Sequence, residues 1–275
     1  MSTSLCIASG KGGVGKSTLT ANLGVALARR GFSVVIMDAD LGLRSQDAFL
    51  GLENLVVYDL MDVARKDCLL DQALLACPAA PEKLKLLPAA QFSRARSLEA
   101  SQLRKILRAL KESFDFILVD APAGIERGLR NILNAGVDET ILVVTPDDIC
   151  LRDAERAAQI IEAKHQPRPR LIVNRLDPLL IQQGEMMPAR VISDTLDLSL
   201  LGEIPEDPAV YRSILRHSLF LDFDCEARRA VLRVAGRLAG EMIPLPEFGR
   251  QPQPLLRRLF SRFFAPKEVT PLDSH

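Results

Sequence analysis

The chain has 275 residues and 48% apolar content, enough for one large domain or two to bury a core. Its 35 basic and 35 acidic residues balance, so no global field draws it to nucleic acid or to an anionic surface, and any such attraction must be local. Five scattered cysteines, Cys6, Cys68, Cys77, Cys150 and Cys225, make no C-x-x-C pair and no zinc or iron–sulfur spacing, and they read as buried, reduced thiols. The N-terminus enters an apolar strand without a basic-then-apolar leader, and no apolar run approaches bilayer length. The expected compartment is the cytoplasm.

In chain order, the run at 5–8 reads as a buried strand, a glycine-rich loop follows, and a helical stretch over 17–30 is stopped by Gly31. Further apolar runs bounded by turn residues lie at 33–37, 84–87, 116–119, 140–144, 171–173 and, shorter, 201–204. Stretches at 101–111, 152–163 and 226–240 place apolar residues at three- and four-residue spacing and read as amphipathic helices. This alternation predicts an α/β fold: a mainly parallel twisted sheet with helices on both faces. Ligands in such sheets gather at the carboxyl ends of the strands, where this chain carries Asp38, Asp120, Thr145-Pro146 and Asn174. Pro244, Pro246, Pro252 and Pro254 forbid a regular helix, so one compact domain is expected over 1–243 with a linker over 244–254.

The loop Gly10-Lys11-Gly12-Gly13-Val14-Gly15-Lys16-Ser17 fits G-x-x-x-x-G-K-[ST] between a strand and a helix. Its glycines let successive N–H groups turn inward around phosphate oxygens, Lys16 reaches the β/γ-phosphates and the Ser17 hydroxyl is offered to Mg²⁺. A nucleoside triphosphate with Mg²⁺ is the ligand this pattern calls for. Carboxylates at strand ends beside such a loop hold the metal through water or orient the attacking water, because phosphoryl transfer rests on positioning and charge stabilisation. Asp38, Asp40 and Asp120 are the candidates. Lys11, on a flexible stem with three donors, suits a charge delivered across an interface.

Together with the loop, Asp38-Ala39-Asp40-Leu41-Gly42-Leu43-Arg44, Asp120-Ala121-Pro122-Ala123-Gly124-Ile125-Glu126 and Ile204-Pro205-Glu206-Asp207 resemble the deviant Walker A ATPases of the MinD/ParA family, and within it the MinD group, from about residue 3 to about residue 264. The resemblance implies a P-loop NTPase that forms an ATP-sandwich dimer, with Lys11 crossing to the partner's phosphates and Lys16 and Thr18 holding phosphate in cis. Ser17 would ligate Mg²⁺, Asp38 and Asp120 would support it through water, and Asp40 would position the attacking water. Asn174, Arg175 and the Pro205-Glu206-Asp207 loop would face adenine. The implied activity is ATP hydrolysis in placing the division septum, with MinC-like and MinE-like regulators as partners.

The stretch 255–264 separates completely when wound at about 100° per residue: Leu255, Leu256, Leu259, Phe260, Phe263 and Phe264 share one side, and Arg257, Arg258, Ser261 and Arg262 the other. An aromatic-rich face, a basic face and a proline-rich tether predict a helix lying in a membrane interface rich in anionic lipid. The apolar face supplies about 9 kcal/mol and the arginines about 1 kcal/mol each, against an ordering cost of about 1 to 2 kcal/mol per residue. One helix is marginal, whereas two on one dimer gain effective concentration. The expected localisation is therefore cytoplasmic and peripheral on the cell membrane, with residues 265–275 a polar extension expected to be disordered.

Two segments depart from the MinD pattern. Pro146-Asp147-Asp148-Ile149-Cys150 stands where the group tends to show Pro-Glu-Val-Ser and a small residue, and Ser45-Gln46 where it usually shows Asn-Leu. The alternatives to a septum ATPase are a ParA-like partition ATPase holding nonspecific DNA through Arg168, Arg170 and Arg175, and a MinD-type ATPase placing flagella or other polar structures. No specific nucleic acid is expected.

Overall fold

The apolar runs become strands because each is buried on both faces of one sheet, the pattern of parallel strands sandwiched between helices. The computed structural model describes residues 2–41, 45–90, 98–125, 127–164 and 167–246. Among these, the strands are β1 (Thr3–Ala8), β2 (Val34–Asp38), β3 (Leu75–Ala76), β4 (Leu84–Leu87), β5 (Phe116–Asp120), β6 (Glu139–Val144), β7 (Arg170–Leu176) and β8 (Ser199–Pro205). Their order is β3-β4-β2-β5-β1-β6-β7-β8, parallel throughout except for β3 on β4. The crossover from β1 runs toward β2 and that from β5 runs toward β6, so the chain reverses direction at the centre of the sheet. The loops after β1 and β5 flank that switch point, where α/β sheets bind ligands.

The helices are α1 (Lys16–Arg29), α2 (Gln46–Leu50), α3 (Leu60–Arg65), α4 (Leu70–Ala73), α5 (Ala100–Lys111), α6 (Arg127–Ala135), α7 (Asp148–Ala163), α8 (Pro178–Gln183), α9 (Ala189–Leu196), α10 (Pro208–Leu215) and α11 (Glu226–Leu238). α1 and α11 pack together, α1 over β2 and β5 and α11 over β8. Right-handed crossovers then put α5, α6, α7 and α9 on the opposite face. α5 shows the sequence logic: Leu103, Ile106, Leu107 and Leu110, at helical spacing, are its buried residues, while Arg104, Lys105 and Arg108 stay exposed.

Beyond α11 the chain stays tied to the body, since Arg237 donates to the Ile243 and Pro244 carbonyls and Arg30 pairs with Glu241. The chain past residue 246, including most of the proline-rich linker, the amphipathic stretch at 255–264 and the extension at 265–275, lies outside the described residues, as do Gly42, Leu43, Arg44 and Glu126. No helix among the described residues is long and apolar enough to cross a membrane.

Candidate functional site

β1 delivers the loop of residues 10–15 into the N-terminus of α1, whose Gly15 cap is left-handed (φ 89°) and makes no side-chain cap hydrogen bond. The first N–H groups of α1 therefore point at the loop with no internal partner, at the positive end of the helix dipole, which is a built anion site. Two approaches hold the loop in shape. Asn174, two residues before the end of β7, donates from Nδ2 to the Val14 carbonyl at 2.8 Å, and a Cβ at Gly15 would lie 2.5 Å from that nitrogen. At the loop's other end, a Cβ at Gly10 would lie 2.5 Å from the backbone carbonyl of Asp153 in α7.

The carboxylates converge below the loop. Asp38 and Asp120 end neighbouring strands in register and are fully buried. Lys16, itself buried, places Nζ 2.5 Å from Asp120 Oδ1 and 3.3 Å from the Ser17 hydroxyl. Asp38 accepts backbone N–H groups from Asp40 (3.0 Å), Ser45 (3.2 Å) and Gln46 (3.1 Å). Burial, and next the charge of Asp120, push the Asp38 carboxyl above its ordinary range, against those N–H groups and Lys16. A divalent cation would relieve that repulsion, as hard oxygen ligands require. Asp40 is half-buried at the same edge, its carboxyl raised by burial and within the fields of Lys16 and Asp120.

Gln46 enters the centre of this group, a role with no local signal in the sequence. It is fully buried and donates from Nε2 to Asp120 Oδ2 at 2.7 Å and to the Ser17 carbonyl at 3.0 Å. Its Oε1, with the hydroxyls of Ser9 and Ser45, is buried without a hydrogen-bond partner among the described residues. Such orphans beside a phosphate loop and two carboxylates fit a site made for a hydrated metal and a nucleotide.

Lys11 turns away from this centre. It is half-exposed, with Nζ 3.4 Å from Asp147 Oδ1 of the same chain. Asp147 caps α7 by accepting the Cys150 N–H at 2.9 Å, and its other oxygen takes the Thr145 hydroxyl at 2.6 Å. Burial opposes the charge, yet these donors and Lys11 hold the Asp147 carboxyl below its ordinary range. An aspartate ahead of a helical run is a local signal for such a cap, one that the reading of the helix as 152–163 passed over.

A cleft of about 100 Å³ opens beside Gly15 and Thr18 and is lined by Asn174, Arg175, Pro205, Glu206 and Tyr211. An irregularity in the β7–β8 pairing leaves Arg175 in the left-handed region (φ 60°), half-exposed and 4.0 Å from Glu206. Asp207 also lines the cleft, but its carboxylate caps two helices, accepting Ala209 N–H in α10 and Glu226 and Ala227 N–H in α11. Arg168 pairs with Glu162 and Asp197, and Arg170 with Glu139, so with Arg175 these arginines each face carboxylates and present no unpaired basic stripe. The five cysteines are free: Cys6, Cys77, Cys150 and Cys225 are buried and Cys68 half-buried, and burial pushes Cys6 and Cys77 up to about 12.

A strand–loop–helix cradle at the switch point, with a buried lysine and two strand-end carboxylates beneath it, defines a P-loop nucleoside triphosphatase. The family model for ParA, described as NUBPL iron-transfer P-loop NTPase, matches residues 1–238. The septum site-determining protein MinD of Synechocystis is 40% identical over 264 residues, covering 95% of this chain and 98% of its own. The MinC:MinD cell division protein complex of Aquifex aeolicus superposes with a TM-score of 0.83 at 37% identity, over 90% of this chain and 100% of that one. The septum site-determining protein MinD complexed with Mg-ADP from Pyrococcus horikoshii gives 0.77 at 30% identity, over 88% and 100%. The chain belongs to the MinD/ParA family of P-loop ATPases, in its MinD group.

Proposed function

We propose that this chain is a MinD-type, Mg²⁺-dependent ATPase that pairs with a second copy across bound ATP, attaches to anionic membrane through residues 255–264 and helps to place the division septum. The observation that carries the reading is the divergence of the two loop lysines: Lys16 is buried against Asp120, whereas Lys11 stands half-exposed and outside its own site. The surface pair that holds Lys11 is worth about 0 to 1 kcal/mol, small enough to be exchanged for a phosphate on a facing subunit.

In this mechanism the loop N–H groups of residues 10–17 and Lys16 bind the phosphates, and Thr18 supports them from the first turn of α1. Ser17 would hold Mg²⁺ directly and Asp38 and Asp120 through water, and the bound ion would neutralise charge between the phosphates. Asp40, at the half-exposed edge of the carboxylate group, orients the attacking water. Lys11 brings a positive charge to the partner's phosphates, so hydrolysis waits for two subunits to meet. Asn174, Arg175, Pro205 and Glu206 receive the base in the adjoining cleft, and Asp207 holds that cleft's wall by capping α10 and α11.

The protein then works on the cytoplasmic face of the cell membrane, its attachment set by the nucleotide. The likeness to the MinC:MinD complex supports a MinC-like partner, and a MinE-like regulator completes the expected set. Size-exclusion chromatography tests the switch: the protein elutes as a dimer with ATP and Mg²⁺ and as a monomer with ADP. The same elution volume in both nucleotides contradicts it.

A further inference from the structure

Outside the expected machinery, the Gln46 carboxamide is a fully buried polar group among the described residues. The residue has no exposed surface, and one end of its amide lies between Asp120 Oδ2 and the Ser17 carbonyl, two acceptors. An oxygen placed there would face a carboxylate and a carbonyl, so the donors at that end fix the amide orientation. Oε1 is then about 2.3 Å from Nε2 by covalent geometry, in the same buried space, and it accepts nothing from the described residues. Leaving an acceptor buried and unpaired is unfavourable. The arrangement makes physical sense when a donor arrives with the ligand.

We propose that Gln46 is a positioning residue for the divalent cation that accompanies the nucleotide, clamping Asp120 through Nε2 and offering Oε1 as a neutral acceptor to the hydration shell of the ion. The inference rests on the MgATP reading of the site and deepens it. Three contacts draw the residue in: its side chain orders Asp120, its side chain also holds the backbone carbonyl of Ser17, and its own N–H binds Asp38. One residue therefore contacts Asp38, Asp120 and Ser17, the last through its backbone carbonyl. Outer partners of this kind fix the orientation of the groups that meet the ion, and their loss typically weakens metal binding by about 10- to 100-fold. A carboxamide adds no charge to a place where Asp38 and Asp120 already repel one another.

The test is the factor by which Mg²⁺ tightens ADP binding, read from titrations of a fluorescent ADP analogue in MgCl₂ and in EDTA, for wild type, Gln46→Leu and the near-isosteric Gln46→Met. Both variants are expected to lose about ten-fold or more of that factor while keeping affinity in EDTA within about two-fold of wild type. A residue that only props the fold would weaken binding equally in both buffers, and that result, like an unchanged factor, overturns the proposal. Thermal melts of the nucleotide-free proteins show whether either variant is folded, and Met preserves the core volume if Leu does not. Wild-type protein that binds the analogue equally well in EDTA and MgCl₂ would instead overturn the MgATP reading on which the proposal rests.

Discussion

Lys11 and Asp147 of the same chain meet at 3.4 Å, each nearly half-exposed, while five residues on Lys16 is buried against Asp120 at 2.5 Å. On the proposed function the two lysines do different work. Lys16→Ala removes phosphate binding and strands Asp120 beside Asp38, so the variant loses ATP affinity and about 3 to 5 kcal/mol of stability. Lys11→Ala keeps the loop and the carboxylate group, binds ATP with modest loss and fails to dimerise. Nucleotide titration beside size-exclusion chromatography separates the two, and a normal ATP-dependent Lys11→Ala dimer removes the crossing role.

Asp40 sits where it touches the site without building it, its backbone N–H donating to Asp38 and its side chain half-buried. Asp40→Ala therefore binds ATP and dimerises but turns over at least about ten-fold more slowly, since orienting water matters in the transition state rather than the ground state. Turnover measured with light scattering on the same sample checks both halves. Undiminished turnover contradicts the assignment.

Gly10→Ala tests the seam between the phosphate loop and α7. A Cβ there meets the Asp153 backbone carbonyl at 2.5 Å, and backbone, unlike a flexible side chain, cannot swing aside. The loop must shift, with an overpacking cost of about 1 to 3 kcal/mol. A lowered melting temperature together with weakened ADP binding is expected, and wild-type values for both would mean that the seam is slack.

Much of this was legible because buried parallel strands read as unbroken apolar runs and because their polar ends stand out, as Asp38 and Asp120 do. The phosphate loop was legible as a local pattern. Other features depend on distant partners. β3, two residues paired antiparallel on β4, has too little sequence to carry a period. The single-turn α4 and the five-residue α2 are equally short. β7 runs to Leu176 rather than stopping near Val173 because the irregular pairing with β8 carries it past Arg175. Asn174 was visible at its strand end, but its hydrogen bond to Val14 spans 160 positions, and the double capping by Asp207 joins helices that only the fold brings together. Gln46 stands out in sequence only as a departure from the MinD pattern, and its burial against Asp120 depends on how α2 meets the end of β5.

Glu203 on β8 is almost fully buried and its carboxyl is pushed up from 4.5 to about 7, by burial first, with Arg190, Arg237 and Arg233 pulling the other way. A folded-state value above the unfolded one means that the neutral form suits the fold and the charged form opposes it. Glu203 therefore adds no penalty below about pH 4.5 and destabilises progressively as pH rises through 7. Glu203→Gln, which cannot ionise, should be more stable than wild type by up to about 3 kcal/mol at pH 8, with the gain fading toward pH 4.5. Urea unfolding at several pH values reads this, and a pH-independent difference rules it out.

Whether ATP-driven pairing switches membrane attachment on is read by cosedimentation with anionic liposomes, with wild type in ATP and in ADP and with Phe260→Glu in ATP. A charge in the middle of the apolar arc should cost about 2 to 4 kcal/mol on insertion while leaving ATP-dependent dimerisation intact, because the residues assigned to nucleotide binding and pairing all lie between Gly10 and Asp207. Wild type is expected to pellet with liposomes in ATP and to stay in the supernatant in ADP, and Phe260→Glu to stay in the supernatant although it dimerises. Equal pelleting of wild type in both nucleotides, or wild-type pelleting of Phe260→Glu, would contradict the claim.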